Sequence, residues 1–204
     1  MLSDVRWFMD RIDTPIGELT IVADAEGNLR AVDWMDYEER MRHLLRLHYG
    51  KGMLTLEEAR DPGGLASALR RYFAGDLKAI EGLPVRTEGT EFQQTVWRAL
   101  REIPCGTTVS YAELARRIGR PSAVRAVGLA NGANPVGIVV PCHRVIGANG
   151  TLTGYGGGLE RKRWLLEHEG VVSAGEKQGQ LFRELPDRRA GIRNTSPYLQ
   201  FQGL

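Results

Sequence analysis

Cys142 stands between a proline and a histidine, and this arrangement indicates thiol chemistry. The apolar run 138–140 leads into it, so the thiol follows a buried segment. Pro141 interrupts strand pairing just before the cysteine, and Gly147 lies in the turn that follows. A neighbouring imidazole favours the thiolate, the nucleophilic form of cysteine, which suits attack on carbon or on a carbonyl. The alternative is that Cys142 is a small buried hydrophobic residue, as a lone cysteine usually is.

The composition is that of an ordinary soluble protein, with 42% hydrophobic and 25% charged residues among its 204. This length fits one large domain or two small ones. No apolar run reaches the length of a membrane span, and the start of the chain lacks the features of a signal peptide. Two cysteines are too few for a disulfide framework, so we expect a cytoplasmic protein. A net charge of +2 does not by itself indicate a nucleic-acid partner.

Three strands and two helices are expected in the first 85 residues. Residues 5–34 show the apolar runs and glycine turns of an antiparallel β-meander. Helices are predicted over residues 37–49 and 62–75, and residues 82–89 have the composition of a linker. Residues 1–85 therefore form a small α/β amino-terminal domain that contains no catalytic motif and supports the rest of the protein.

Helices dominate the prediction from residue 90 onward. Capping boxes at residues 90–93 and 110–113 begin two helices, and Ser122 is expected to cap a third that ends at Ala130. The second and third are joined by a short glycine turn, the pattern of a helix-turn-helix. The predicted fold is therefore α+β. A small domain with a three-stranded antiparallel sheet and helices is followed by a mostly helical domain, residues 86–170, which carries the helix-turn-helix and the cysteine.

The helix-turn-helix segment is basic, with four arginines against one acid, Glu113. Such a face fits phosphate binding, although arginines on a helix are also commonly just solvated. The third helix has small residues and no Asn, Gln or Lys that would read base edges in the major groove. Small residues allow close approach to a sugar–phosphate wall, and Arg125 would then project alone. A single arginine on a smooth helix suits insertion into the base stack.

Two segments follow the cysteine. The glycine-rich loop 154–158 lacks the third glycine of a dinucleotide-binding fingerprint, since Leu159 stands in its place. A last helix is expected from Leu159 to Glu169. Residues 171–204 are polar and aperiodic, and we expect them to form a poorly ordered tail.

The motif Pro-Cys-His-Arg-Val at 141–145 resembles that of the O6-alkylguanine-DNA alkyltransferases, or methylated-DNA–protein-cysteine methyltransferases. Ser110-Tyr111 upstream and the loop 154–158 downstream occur in that family's order and spacing. The resemblance covers residues 85–170 continuously and the first 85 residues more loosely. It implies DNA repair by direct, irreversible and stoichiometric transfer of an alkyl group to Cys142, a single-turnover methyltransferase reaction without a cofactor.

The resemblance also implies a catalytic role for five residues. Cys142 is the alkyl acceptor, His143 the base that activates the thiol through a water, and Glu169 the acid that orients the imidazole. Tyr111 gives a proton to the departing guanine. Asn134 braces the turn beside the active-site segment.

The implied partner is double-stranded DNA that carries O6-alkylguanine, with O4-alkylthymine as an alternative lesion. The damaged nucleotide must leave the helix, because its reacting atom faces the pairing partner. Arg125 is the residue implied to fill the resulting gap. Other residues implied in binding the substrate or the DNA are Val145, Tyr155, Gly156, Arg144, Ser110 and Ala123. We expect a monomer in solution and leave cooperative assembly on DNA open.

Two departures from the family pattern bear on the site. Gly156 stands where some relatives have a serine, so the O6 atom must be contacted by a backbone N–H, and the pocket has room for bulkier alkyl groups. The zinc ligands of some amino-terminal domains are absent, so no metal is implied. Two alternatives stay open: a helix-turn-helix module that senses alkylated bases without repairing them, and a hydrolase that uses cysteine, histidine and glutamate for acyl transfer.

Overall fold

One mixed sheet forms the first part of the protein. The computed structural model describes residues 5–49 and 54–171. The strands, in the spatial order β3-β2-β1-β4, are β1 (Val5–Thr14), β2 (Gly17–Ala23), β3 (Leu29–Trp34) and β4 (Leu54–Glu58). The predicted antiparallel three-stranded meander is confirmed. The parallel edge strand β4 was missed, because its five residues end in two glutamates, which are disfavoured in strands.

Six α-helices, three single 3₁₀ turns and a second, two-stranded sheet complete the described part of the fold. The helices are α1 (Glu38–Tyr49), α2 (Leu65–Phe73), α3 (Glu91–Arg101), α4 (Tyr111–Arg117), α5 (Val124–Gly132) and α6 (Leu159–His168). The strands β5 (Val109–Ser110) and β6 (Val145–Ile146) pair in parallel. They place the start of α4 beside the residues that follow the cysteine.

Of the three helix starts that were predicted from capping residues, two have the expected side-chain cap and the third does not. Thr90 and Gln93 form both bonds of a capping box at α3, and the Ser110 hydroxyl accepts from the Glu113 N–H at α4. The prediction that Ser122 caps α5 is wrong. The Ala123 N–H bonds to the Arg120 carbonyl at 2.9 Å, and this turn leaves Ala123, without a capping side chain, at the N-cap.

A hydrophobic core runs continuously from the large sheet into the helices. The Trp97 indole N–H donates to the Ala130 carbonyl at 2.9 Å, which fixes α3 against α5. Strand β3 binds the segment 135–141, which leads to Cys142, through two backbone hydrogen bonds. Val32 N–H donates to Pro135 O and Gly137 N–H donates to Val32 O, both at 2.9 Å. The sheet edge therefore sets the position of the segment that leads to Cys142.

Three sequence-based expectations concern the ends and limits of the fold. The division into domains 1–85 and 86–170 stays a prediction. The expected tail falls outside the described residues except at Val171. Among the helices of the described ranges, none has the length and apolar character that crossing a bilayer requires.

Candidate active site

The segment before Cys142 is a series of tight turns rather than a strand. Ile138 has a φ of 69°, in the left-handed region that a β-branched residue rarely adopts. Asn134 braces these turns: its Oδ1 accepts from the Val136 N–H at 3.0 Å and its Nδ2 donates to the Val140 carbonyl at 2.8 Å. Burial of the Ile138 side chain in the core helps to hold this strained conformation, which costs about 1–3 kcal/mol.

The Cys142 thiol is buried at the start of a single 3₁₀ turn, residues 142–144. Burial raises the pKa of Cys142, because a thiolate is poorly solvated there. A hydrogen bond from Asn134 and the positive charges of Arg40 and Lys162 oppose that rise without cancelling it. The resting thiol is therefore protonated at neutral pH, and its use as a nucleophile requires a base.

His143 supplies an imidazole beside the thiol. Its Nε2 lies 2.9 Å from Glu169 Oε1, and both side chains are fully buried. A carboxylate partner assigns the proton to Nε2, which leaves Nδ1 as the basic nitrogen. Within the described residues Nδ1 has no hydrogen-bond partner. Burial lowers the pKa of His143 and outweighs the opposing charge of Glu169, so the ring is neutral and can accept a proton.

Glu169 is held by a buried arginine. Arg144 Nε donates to Oε2 at 2.8 Å and Nη2 to Oε1 at 2.9 Å, while Nη1 donates to the Ile103 carbonyl at 2.6 Å. Burial alone would raise the pKa of Glu169, but the charges and hydrogen bonds of His143 and Arg144 hold it well below its usual range. The carboxylate therefore stays ionised and fixed behind the imidazole.

The expectation that Arg144 binds substrate or DNA is corrected by this arrangement. Its side chain is only 9% exposed, and its donors are directed at Glu169 and at a backbone carbonyl. A buried carboxylate needs a cation of this kind, because an unpaired charge in the core costs several kcal/mol.

A second buried cation holds the glycine loop against β6. Lys162 Nζ donates to the Val145 carbonyl at 2.6 Å and to the Thr153 carbonyl at 2.7 Å. Burial lowers the pKa of Lys162 to about 8. The Tyr111 hydroxyl lies 3.3 Å from the carbonyl oxygens of Thr153 and Gly154. The phenol therefore faces the loop that borders the thiol, and it shares the Thr153 carbonyl with Lys162.

Trp34 and Arg40, from the first part of the chain, line the pocket beside Cys142 together with Tyr155 and the glycine loop. Arg40 forms an ion pair with Asp33, and its Nη2 donates to the Gly132 carbonyl at 2.8 Å. A Cβ at Gly156 would lie 2.6 Å from the Arg40 guanidinium. The expected extra room at Gly156 is therefore occupied by Arg40. The neighbouring Gly157 lies so close to the Trp34 indole that it has no space for a Cβ.

The basic face of α4 and α5 is separate from this pocket's buried cations. Its arginines are exposed, and Arg117 Nε pairs with Glu113 at 3.1 Å. Arg125 and Leu129 lie one turn apart on α5, and Leu129 is 63% exposed. The half-buried Ser110 and Ala123 are the N-caps of α4 and α5.

Comparison with known proteins identifies the family of this chain. Residues 91–171 match the model of the 6-O-methylguanine DNA methyltransferase DNA binding domain, and residues 9–87 match that of the 6-O-methylguanine DNA methyltransferase ribonuclease-like domain. The chain belongs to the 6-O-methylguanine DNA methyltransferase family.

Several relatives in this family are similar along most of their length. The methylated-DNA–protein-cysteine methyltransferase of Shigella flexneri is 55% identical over 168 residues, which are 82% of this chain and 98% of that protein. The protein of the same name from Mycobacterium bovis is 48% identical over 163 residues, 78% and 89% of the two chains. The crystal structure of Mycobacterium tuberculosis OGT in complex with DNA has 45% identity and a TM-score of 0.65, and the match covers 81% of this chain and 92% of that chain.

The structure thus brings together four of the five residues expected to be catalytic, Cys142, His143, Glu169 and Asn134, with Tyr111 across the glycine loop. Sequence reasoning missed four residues that contact this site: Trp34, Arg40, Tyr72 and Lys162. None belongs to a motif. In the sequence, Lys162 is only the middle residue of an Arg-Lys-Arg run on α6. Nothing in that run indicates that the lysine is buried and its two neighbours are not.

Proposed function

We propose that this protein repairs O6-alkylguanine in duplex DNA by moving the alkyl group onto Cys142, irreversibly and once per molecule. The observation that carries the proposal is the buried contact between His143 and Glu169 behind a buried thiol, at 2.9 Å. This constellation lies in the part of the chain that matches a DNA-binding domain. An ester hydrolase would need no such domain.

The proposed transfer begins at the imidazole. Glu169 accepts the Nε2 hydrogen of His143, so Nδ1 takes the thiol proton through one bridging water. The thiolate attacks the alkyl carbon, a C–S bond forms, and the C–O bond breaks with its electron pair passing to the guanine O6. Tyr111 gives the proton that neutralises the departing base. The thioether that remains has no low-barrier route back, which makes the reaction single-turnover.

The substrate base must be turned out of the duplex to reach a buried thiol, at a cost of a few kcal/mol that is smallest for a damaged pair. We assign Arg125 to the gap in the stack, since it is exposed on a helix of small residues. The backbone of Val145 and Gly156 and the ring of Tyr155 would then receive the base. The N-caps Ser110 and Ala123 lie at helix N-termini, where phosphates bind. O4-alkylthymine is the alternative substrate.

We place the reaction in the cytoplasm and assign it to the monomer. Both cysteines, one buried and one half-buried, are free thiols, as a reducing compartment allows. A single copy of the chain contains the whole Cys142–His143–Glu169 constellation, so the transfer needs no second subunit.

Intact mass tests the proposal. Equimolar protein and duplex containing one O6-methylguanine are incubated, and both are then weighed, with undamaged duplex as the control. We expect one added methyl group on the peptide that contains Cys142, and one restored guanine per protein. Binding of the damaged duplex without methyl uptake would favour the sensor alternative. Repeated turnover on esters would favour the hydrolase.

A further inference from the structure

Tyr72 connects the sheet-containing part of the protein to the catalytic carboxylate. It lies on α2, is fully buried, and its hydroxyl donates to Glu169 Oε1 at 2.8 Å. The ring is fixed by edge contacts with Phe73 and His168, at centroid distances of 5.3 and 5.1 Å. The His168 Nε2 lies 2.7 Å from the Tyr72 carbonyl oxygen. The hydroxyl therefore has a defined position relative to the end of α6.

The oxygen that Tyr72 contacts is the same one that holds the imidazole. Glu169 Oε1 accepts from His143 Nε2 at 2.9 Å, from Arg144 Nη2 at 2.9 Å and from the Tyr72 hydroxyl. Three donors on one carboxylate oxygen share its negative charge, so each weakens the hold on the others. Removing a neutral donor concentrates that charge on the remaining two.

We infer that Tyr72 is a positioning residue for the alkyl transfer. It fixes the Glu169 carboxylate and limits how strongly that carboxylate stabilises the protonated imidazole of His143. The inference rests on the proposed function. Burial and the charge of Glu169 raise the pKa of Tyr72, so the phenol remains protonated, and therefore a donor, at neutral pH. Tyr72 does not touch the reacting atoms, and its effect passes through Glu169 and His143.

Other titratable groups also face these residues and stay constant in the test. The charge of Arg144 lowers the pKa of Tyr72, whereas Cys105 raises it. Glu169 in turn raises the pKa of Cys105, and Lys162 on α6 lowers the pKa of His143. The Tyr155 ring lies 6.5 Å from the imidazole. Because Tyr72→Phe leaves all of these side chains in place and removes a single hydroxyl, a change in the titration of His143 reports the loss of that hydroxyl.

The experiment measures the single-turnover rate of methyl transfer against pH for Tyr72→Phe. Loss of the donor stabilises the protonated imidazole and raises the pKa of His143. We expect the acid limb of the profile to move upward by about half a pH unit, which slows transfer on that limb about threefold. Binding of the duplex should not change. The matched control is Tyr49→Phe, which removes a hydroxyl that bonds to the backbone of Arg86 and Glu88 rather than to Glu169.

A second variant reverses the sign and covers the case in which Tyr72→Phe does not fold. Placing 3-fluorotyrosine at position 72 keeps the ring and makes the hydroxyl a stronger donor, so the acid limb should move downward. An acid limb that stays in place in the folded variants would overturn the role of Tyr72 alone. A wild-type protein that takes up no methyl group would overturn the proposed function as well, and the two failures are thus distinguishable.

Discussion

Arg144 and Arg125 show two opposite uses of the same side chain. Arg144 lies in the core, where its guanidinium makes two hydrogen bonds to Glu169 and one to the Ile103 carbonyl. Arg125 lies on the exposed face of α5. One region is a closed electrostatic cluster that holds the Glu169 carboxylate behind His143, and the other is an open face available to a polyanion. Under the proposed function, burial rather than residue type separates the arginine that supports the chemistry from the arginine that binds DNA.

The comparison is tested most severely by removing the sulfur nucleophile. Cys142→Ser should abolish methyl transfer completely, because a serine hydroxyl beside a neutral imidazole is a far weaker nucleophile toward alkyl carbon. Duplex binding through the α4–α5 face should persist. Intact mass after incubation with methylated duplex measures the first, and a gel-shift titration measures the second. A labelled methyl group on the variant would remove Cys142 from the reaction.

Breaking the closed cluster should have the next largest effect. Glu169→Gln leaves the Arg144 guanidinium buried without its counter-charge, and we expect a loss of about 3–5 kcal/mol in the free energy of unfolding. Methyl transfer should also slow, because His143 loses its orienting carboxylate. Urea unfolding measures the first effect. The control on the same helix is Glu160→Gln: that side chain is 78% exposed, and its loss should change stability by less than about 0.5 kcal/mol. Equal effects would contradict the role of the buried pair.

The same cluster predicts a pH dependence of stability. The pKa of Glu169 is lowered in the folded protein by His143 and Arg144, against the effect of burial. Its contribution is therefore complete above the unfolded-state pKa of about 4.3 and is lost as the pH falls below that value. Urea midpoints measured down to acid pH should fall for the wild type and change less for Glu169→Gln. Parallel curves would contradict this assignment.

Local patterns allowed much of the fold to be predicted. Apolar periodicity and capping residues were sufficient for the meander and for α3 and α4, because those signals act between near neighbours. β4 was missed because it is a short parallel edge strand, stabilised by β1 rather than by its own sequence. Ser122 was misplaced because a backbone turn, which no side chain records, determines where α5 begins.

The candidate site divides in the same way. Cys142, His143, Glu169 and Asn134 were found through a family motif, and the structure brings them together. Arg144 was assigned to substrate or DNA only through the family resemblance, whereas its burial depends on tertiary packing. Tyr72 is 97 residues from Glu169 in sequence, and no local pattern connects two residues so far apart. Contacts of this kind are visible only in the folded protein.

The open face is tested by Arg125→Ala. Loss of the side chain that fills the stack should slow repair of duplex by roughly thirtyfold, equivalent to about 2 kcal/mol of unstacking that is no longer offset. Reaction with free O6-methylguanine base should be unchanged. The single-turnover rates on the two substrates measure this difference. Arg46→Ala, which removes an exposed arginine from α1, controls for net charge. Equal slowing on duplex and free base would exclude the stack-filling role.

Replacing Leu129 should have the smallest effect of these changes. It tests whether the exposed face of α4 and α5 binds DNA through apolar contact as well as through charge. This leucine is 63% exposed one turn after Arg125, on a helix whose other exposed residues are small. If α5 lies against DNA, the Leu129 side chain packs against the sugars and is removed from water. Leu129→Ala should therefore weaken duplex binding about fivefold, or about 1 kcal/mol. Leu47→Ala on α1 is the matched control, since Leu47 is 64% exposed. Fluorescence anisotropy at two salt concentrations measures both variants. An apolar contact leaves the salt dependence unchanged, so a changed salt slope or identical losses in the two variants would show that α5 binds DNA through charge alone.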